Sequence, residues 1–399
     1  MNDYFDVPIP LLKFLGACIY GDAKTYYSGL SEAEHIELEK QGNIFGMAAW
    51  FYRYLYDILP EKKREEYRSV YQSHKVKALL GEQELKRLYR EMAVHNLRFV
   101  PIKGADLAYR LYPDAALRNF VDWDILFHPD DSKRALAVLA EDGWTIPKNC
   151  SNDHETVQKS GAHHFSPHVR RQYCIEPHFA LANFDDIDLH EIWNYTVEYP
   201  TGDGQIVLSP EMNILMLTRH ASSESYYHAQ IPKLLTDVAF VMQKENVDFT
   251  VLHELADRFH FPYPGDLLAA FPEFFPAEVI EAFRANPEKT EVFRRIFELR
   301  GQLGEQDSIS LALSRYKERG RVMGGVVKHI QILSPNRIRL TYHLPRHGAW
   351  ERVVWSYVCW FCTRSMASIR WVIKRNQTLR TYSHMIESVE SASSLKRIH

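Results

Sequence analysis

The chain has 399 residues, 46% of them hydrophobic and 25% charged, with a formal charge of −3. These values describe a soluble globular protein, and the length implies two or three substructures rather than one core. No apolar run reaches the ~18 residues that a membrane span needs. The acidic start Met1-Asn2-Asp3-Tyr4 lacks the basic opening of a signal peptide, and five scattered cysteines suit a reducing, cytoplasmic setting better than a disulfide framework.

The first 95 residues read as helical. Ser31-Glu32-Ala33-Glu34 fits a capping box, with Ser31 as N-cap. The run Ile44 to Ile58 is apolar on one side, and Lys75 to His95 is amphipathic with Leu79, Leu80, Leu85, Leu88 and Met92 as its buried stripe. The texture then changes. Leu97 to Ile102 is short and β-leaning, Asp106 to Tyr112 suggests a helix, and Phe120 to Phe127 reads as a strand. Pro129-Asp130-Asp131-Ser132 starts a helix that runs to Glu141 and ends near Gly143. Two strand-like runs follow, His163 to Ser166 and Gln172 to Leu181, with His168 to Arg171 as the turn between them. The helical period returns from Pro210 to Phe261, with Ile214, Leu215, Leu217, Leu234, Leu235, Val238 and Phe240 as core positions. Pro262 to Pro276 is proline-rich and reads as a loop or linker. Helical patterns dominate the remainder, broken at Gly324-Gly325, with a polar tail after Gln377.

The fold class expected is therefore α/β in the α+β sense, a small mixed sheet embedded in helical N- and C-terminal regions. Four regions are expected: an N-terminal helical region at 1–95, an α/β core at 96–200, a helical domain at 201–320 and a basic C-terminal helical segment with its tail at 321–399. The charge is uneven. From Arg315 to His399, sixteen Lys or Arg stand against four Asp or Glu, a balance of +12, so the preceding residues carry −15. Either the basic segment docks on the acidic body of its own chain or it meets an anionic partner. The tryptophans and arginines of Trp350 to Lys374 allow the same choice between packing on the body and meeting RNA or a membrane surface.

The residues with chemistry to offer lie in the α/β unit. Asp122 and Asp124 are carboxylates separated by one residue in an apolar run, and residues i and i+2 of a strand share a face. Two ionised carboxylates side by side repel, so a shared cation is their natural partner. Mg²⁺ is held in this way, by one or two carboxylates, waters and the oxygens of a substrate phosphate. Glu176 and His178 form a second such pair on the later strand. Glu176 either completes the metal site or acts as a base on the attacking group. His178 either contacts a phosphate or orients Glu176. Lys103-Gly104 closes the first strand before a helix, where backbone N–H groups and a lysine suit a phosphate, and Arg118 lies four residues before Asp122. Each piece alone is a weak signal; their order in the chain is what carries weight. The crowded histidines His154, His163, His164, His168 and His178 match no closed zinc site. Cys359 and Cys362 read as core thiols, and Asp185 to Asp188 as a solvated loop.

These stretches resemble a family of bacterial nucleotidyltransferases, a divergent branch of the DNA polymerase β-like superfamily. The matching pieces are Pro101-Ile102-Lys103-Gly104, the run from Arg118 through Asp122-Trp123-Asp124 to Leu126, and Ile175-Glu176-Pro177-His178. Leu208 to His220 and Leu234 to Ala239 are also similar, and the likeness covers roughly residues 30 to 260. The resemblance implies Mg²⁺ or Mn²⁺ as cofactor, an NTP as donor and transfer of a nucleoside monophosphate to a hydroxyl acceptor: a sugar, metabolite, protein or RNA. It places Asp122, Asp124 and Glu176 at the metal and in catalysis, and Lys103, Gly104, Arg118 and His178 at the nucleotide phosphates. Three departures stand out. Ala105 follows Gly104 where a serine is usual, Trp123 sits between the aspartates where a small aliphatic is usual, and Pro177 interrupts the later strand, implying an edge or irregular position. The missing serine hydroxyl leaves a second reading open, a catalytically degenerate protein that binds a nucleotide or a partner on the same fold.

Overall fold

The structure is a computed structural model and describes residues 7–147, 150, 163–181, 188–199, 205–223 and 227–302. The expectations for Cys359 and Cys362, Gly324-Gly325, Trp350 to Lys374, the basic segment and the tail lie outside the described residues, as do His154 and residues 185–187 of the acidic loop.

Helices α1 (Ile9–Tyr20), α2 (Ala23–Ser28), α3 (Glu32–Ile44), α4 (Ala48–Leu55) and the long α5 (Glu61–Val94) open the fold. The capping box at α3 is complete: Ser31 accepts from the Glu34 backbone, and Glu34 reaches back to the Ser31 N–H at 2.8 Å. In α5 the buried stripe passes through Ala78, Gly81, Leu85, Leu88 and Met92. Leu79 and Leu80, expected inside, are 51% and 46% exposed. The helical period from Leu85 runs back to Gly81 and Ala78, which puts those two leucines on the solvent side.

The α/β core is built from β1 (Phe99–Ile102), α6 (Lys103–Arg110), β2 (Trp123–Phe127), α7 (Ser132–Glu141), β3 (His168–Arg170) and β4 (Tyr173–His178). The sheet is mixed, in the order β1-β2-β4-β3: β1 runs antiparallel to β2, β4 parallel to β2, and β3 antiparallel to β4. Three details differ from the sequence reading. The stretch His168–Arg170 is a strand rather than a turn. The reversal falls at Arg171-Gln172, with Arg171 in the left-handed region (φ 54°), while His163 to Ser166 makes only a single bridge, His164 to His178. Pro177 is not on an edge. β2 pairs on one side of it, and on the other, past the end of β3, its carbonyl accepts the Phe165 N–H at 2.8 Å. A strand residue presents N–H and C=O to the same side, so the missing donor falls toward this short stretch and the β2 ladder stays intact.

The rest is largely helical. A short α8 (Leu189–Ile192) and a hairpin, β5 (Thr196–Glu198) and β6 (Ile206–Leu208), lead to α9 (Pro210–Ser223), α10 (Tyr227–Lys244), α11 (Phe249–Arg258), α12 (Pro264–Leu268), α13 (Ala277–Ala282) and α14 (Pro287–Gln302). The proline-rich Pro262 to Pro276 is no linker. It holds α12 and buries Phe271, Phe274 and Phe275 in the main core.

Each face of the sheet carries its own core, because strand side chains alternate. Trp123, Ile125, Phe127 and Ile175 face α5 and α7. Val100, Ile102 and Leu126 face the main core, which runs from α1 to α14. Trp123, anomalous in sequence, is 3% exposed, stacks on Tyr173 at 4.9 Å and leaves the opposite face to Asp124. No helix among the described residues is long and apolar enough to cross a membrane.

Candidate active site

The acidic face forms where three strands run side by side. Asp124 pairs in register with Ile102 of β1 and, across the parallel ladder, with Glu176 of β4. One ligand atom each from Asp124, Glu176 and His178 lies within 4.8 Å of the other two. His178 is fully buried, and its Nε2 lies 2.8 Å from Asp124 Oδ1 and 3.9 Å from Glu176 Oε2. The histidine therefore hydrogen-bonds Asp124 rather than Glu176, from a fully buried position. Among the described residues its Nδ1 has no partner.

Asp122 lies just before β2, in a bend rather than on the strand. Its carboxylate is outside the tight group, although both Asp124 and Glu176 feel its charge. Contacts from α4, α5 and α10 hold the loop that carries it, Lys77 of α5 among them through the Phe120 carbonyl at 2.6 Å. Trp50 of α4 donates to the Leu117 carbonyl at 3.0 Å, and the Lys75 ammonium of α5 contacts Asp114 at 2.9 Å. Arg118 grips Asp237 of α10 through Nε at 2.8 Å and Nη2 at 2.9 Å, and its Nη1 donates to the Asn119 carbonyl. The guanidinium expected at a phosphate is thus committed to Asp237.

Lys103 heads α6 with φ at +56°, a conformation a lysine adopts only under constraint. Its ammonium lies 3.6 Å from Asp124 Oδ1. Gly104 is required by packing: a Cβ there would sit 2.9 Å from the Phe120 Cβ. Ala105, in place of the usual serine, is buried in the apolar core on the other face of the sheet.

The charges fit this geometry. Burial works against the Asp124 carboxylate, yet the Lys103 ammonium and the His178 hydrogen bond hold its carboxyl well below the usual range. Burial and the neighbouring Asp124 push Asp122 up. Burial also raises Glu176; His164 opposes this, while Asp124 and Asp122 add to it. Burial lowers His178 despite its carboxylate partner. It is therefore neutral near pH 7 and gives Asp124 a hydrogen bond, while Lys103 supplies the charge.

A family model described as "Uncharacterised nucleotidyltransferase" matches residues 40–262, more than half of the chain. The chain belongs to this nucleotidyltransferase family. No curated protein and no solved structure matches it. The matched span runs from within α3 past the end of α11, so it contains the whole acidic face of this nucleotidyltransferase and its anchor on α10.

Four further residues surround the site: His163 and His164, which the sequence offered only as part of a histidine cluster, and His220 and Lys233, which carried no site signal of their own. His163 and His164 stack around His178, each with its ring 5.3 Å away. Burial is the main cause that pushes His163 down to about 3. Burial and Lys103 push His220 of α9 down to about 4. Lys233 of α10 feels Asp122, Arg118 and Asp237. Helical histidines and lysines far from the acidic strand look like any other surface residue until the helices are packed.

The donor set also meets a test for a metal. Carboxylate oxygens are the ligands that Mg²⁺ and Mn²⁺ prefer. Two of the three carboxylates have raised proton affinity, first through burial and then through their carboxylate neighbours, and a bound cation would offset both.

Proposed function

We propose that the protein is a Mg²⁺- or Mn²⁺-dependent nucleotidyltransferase that moves a nucleoside monophosphate from an NTP to a hydroxyl acceptor. The observation that carries this reading is the pairing of Asp124 with Glu176 across the β2–β4 ladder, with His178 behind Asp124. Asp122, Asp124 and Glu176 would hold the metal. Bound there, a divalent ion would neutralise the triphosphate and stabilise the pyrophosphate leaving group. Glu176 is the group suited to take the acceptor proton, because burial and the neighbouring aspartates raise its affinity for one. The acceptor oxygen bonds to the α-phosphorus, the bond to the β-phosphate bridge breaks, and pyrophosphate leaves with that electron pair. Lys103 would turn from Asp124 toward the phosphates. Gly104 lets α6 lie close against the Asp122 loop, and Arg118 would hold that loop in position through Asp237.

The test is thermal stability with ATP, GTP, CTP or UTP, with and without Mg²⁺, for the wild type and for Asp122→Asn with Asp124→Asn. A ligand that binds only the native state raises the melting temperature. A Mg²⁺-dependent rise with at least one nucleotide, lost in the double variant, is expected. The absence of any rise would count against the reading.

A second reading, a protein that binds a nucleotide without transferring it, starts from the absence of the usual serine at Ala105; because that side chain lies in the apolar core on the face away from Asp124, the substitution alone removes no phosphate contact. Its distinguishing outcome is a bound nucleotide recovered intact with every acceptor tried.

A further inference from the structure

Lys233 lies one helical turn before Asp237 on α10, and positions i and i+4 share a side of a helix. Asp237 is fully committed. Its oxygens take the Arg118 guanidinium at 2.8 and 2.9 Å, and one of them also accepts the Tyr112 hydroxyl at 2.6 Å. Among the described residues the Lys233 ammonium makes no ion pair and no hydrogen bond. Asp122 is its counterpart, a carboxylate with no ion pair among the described residues. Both side chains are half-buried, and Lys233 feels the charges of Arg118, Asp237 and Asp122. Burial, then Arg118, lowers the proton affinity of Lys233, as expected of a cation short of a counter-charge. Through the Arg118–Asp237 pair, α10 places Lys233 beside the loop that carries Asp122, with neither side chain in an ion pair among the described residues. A cation would satisfy Asp122 and an anion Lys233, and a metal–polyphosphate supplies both.

We propose that Lys233 binds the polyphosphate of the nucleotide donor, reaching it from α10 while Lys103 reaches it from the head of α6. This assignment rests on the nucleotidyl-transfer reading and adds to it a phosphate ligand from a helix far from the acidic strand. Nucleotide binding then requires α10 as well as the sheet, and the Arg118–Asp237 pair sets the position of Lys233 relative to the Asp122 loop.

The experiment uses inorganic tripolyphosphate as probe, with Mn²⁺, on the full chain as wild type, Lys233→Met and Lys233→Arg. Lys233→Met should weaken tripolyphosphate binding by about ten-fold or more, the scale of one charge-assisted contact. Lys233→Arg should recover most of it, and affinity for Mn²⁺ alone should change little. The melting temperature of unliganded Lys233→Met should hold or rise, since a half-buried charge without a partner is removed. Wild-type tripolyphosphate affinity in Lys233→Met would overturn the proposal. A lower melting temperature of that variant without ligand would also overturn it, because Lys233 would then be holding the fold. Failure of the wild type to bind tripolyphosphate or any of the four NTPs would bring down the nucleotidyl-transfer reading, and this assignment with it.

Discussion

Arg118 and Asp237 meet through two parallel N–H donors, at 2.8 and 2.9 Å, across 119 residues of chain. The pair is nearly sealed from solvent, with side chains 11% and 2% exposed. Removing one partner of such a pair strands the other charge in a dry setting. Asp237→Ala is therefore expected to cost about 3–5 kcal/mol in urea unfolding. A loss under about 1 kcal/mol, the range of an exposed pair, would show that water reaches Arg118.

His178 should act on the metal through Asp124. Its Nε2–H fixes one carboxylate oxygen at 2.8 Å and so orients the ligand. Partners of this kind typically contribute 10–100-fold to metal affinity. His178→Asn should weaken Mn²⁺ binding by about that factor, measured by paramagnetic resonance of free Mn²⁺, while circular dichroism stays that of the native fold. Unchanged affinity would leave the histidine as packing only.

Acid stability should depend on a different cluster. Asp142, after α7, takes Arg87 of α5 at 2.8 and 2.5 Å, Arg170 of β3 at 3.3 Å and the Trp144 indole at 3.1 Å. Burial opposes its charge, but Arg87 and then Arg170 hold its carboxyl below the ordinary 3.8. A depressed carboxyl contributes stability that is fully present above the ordinary value and is lost as pH falls through the folded one. The wild type should therefore lose stability below about pH 4, and Asp142→Asn should flatten that limb while costing about 1–3 kcal/mol at pH 7. Parallel acid limbs in the two proteins would mean that Asp142 has no depressed carboxyl.

Gly16 sits where α1 meets the segment after α12. A Cβ there would lie 2.4 Å from the Phe274 carbonyl oxygen, a backbone atom that moves only if the segment moves. Gly16→Ala should destabilise the fold by about 1–3 kcal/mol despite alanine's better helix propensity. A stabilised variant would show that α1 can shift away freely.

Particular residues show how far the sequence could be read. The β2 strand and its flanks were legible because Trp123, Ile125 and Phe127 alternate with Asp124, and alternation is local information. The Ser31 cap and α7 were legible for the same reason. The strand at His168 was missed because its turn uses Arg171 in a left-handed conformation, with no glycine or asparagine to mark it. Pro177 suggested an edge, but a missing donor matters only on the side where a ladder runs. The α5 stripe was misplaced because Leu79 and Leu80 are more hydrophobic than Ala78 and Gly81, while close packing there needs the smaller pair: a Cβ on Gly81 would meet the Tyr109 hydroxyl at 2.7 Å. At the site, the carboxylates were legible as a spaced motif. The Arg118–Asp237 pair and the nearness of Lys233 to Asp122 were not, because they depend on which helix packs over the sheet, and the His178–Asp124 hydrogen bond was not, because it depends on which strands pair.

The parallel pairing of β2 with β4 has a consequence for the order of events on the ribosome. Parallel neighbours need a long crossover, so Glu176 comes into register with Asp124 only after α7 and the β3–β4 hairpin have been made. Asp237 emerges later still. A nascent chain therefore carries the Lys103-Gly104 turn and both aspartates, with only the earlier α4, α5 and β1 to hold them, well before the β4 ladder and the Asp237 anchor are available, and long-range closures of this kind form slowly. The proposed chemistry is confined to chains synthesised past α10, so a product cut short before that helix would bear the family's acidic motif and be inert.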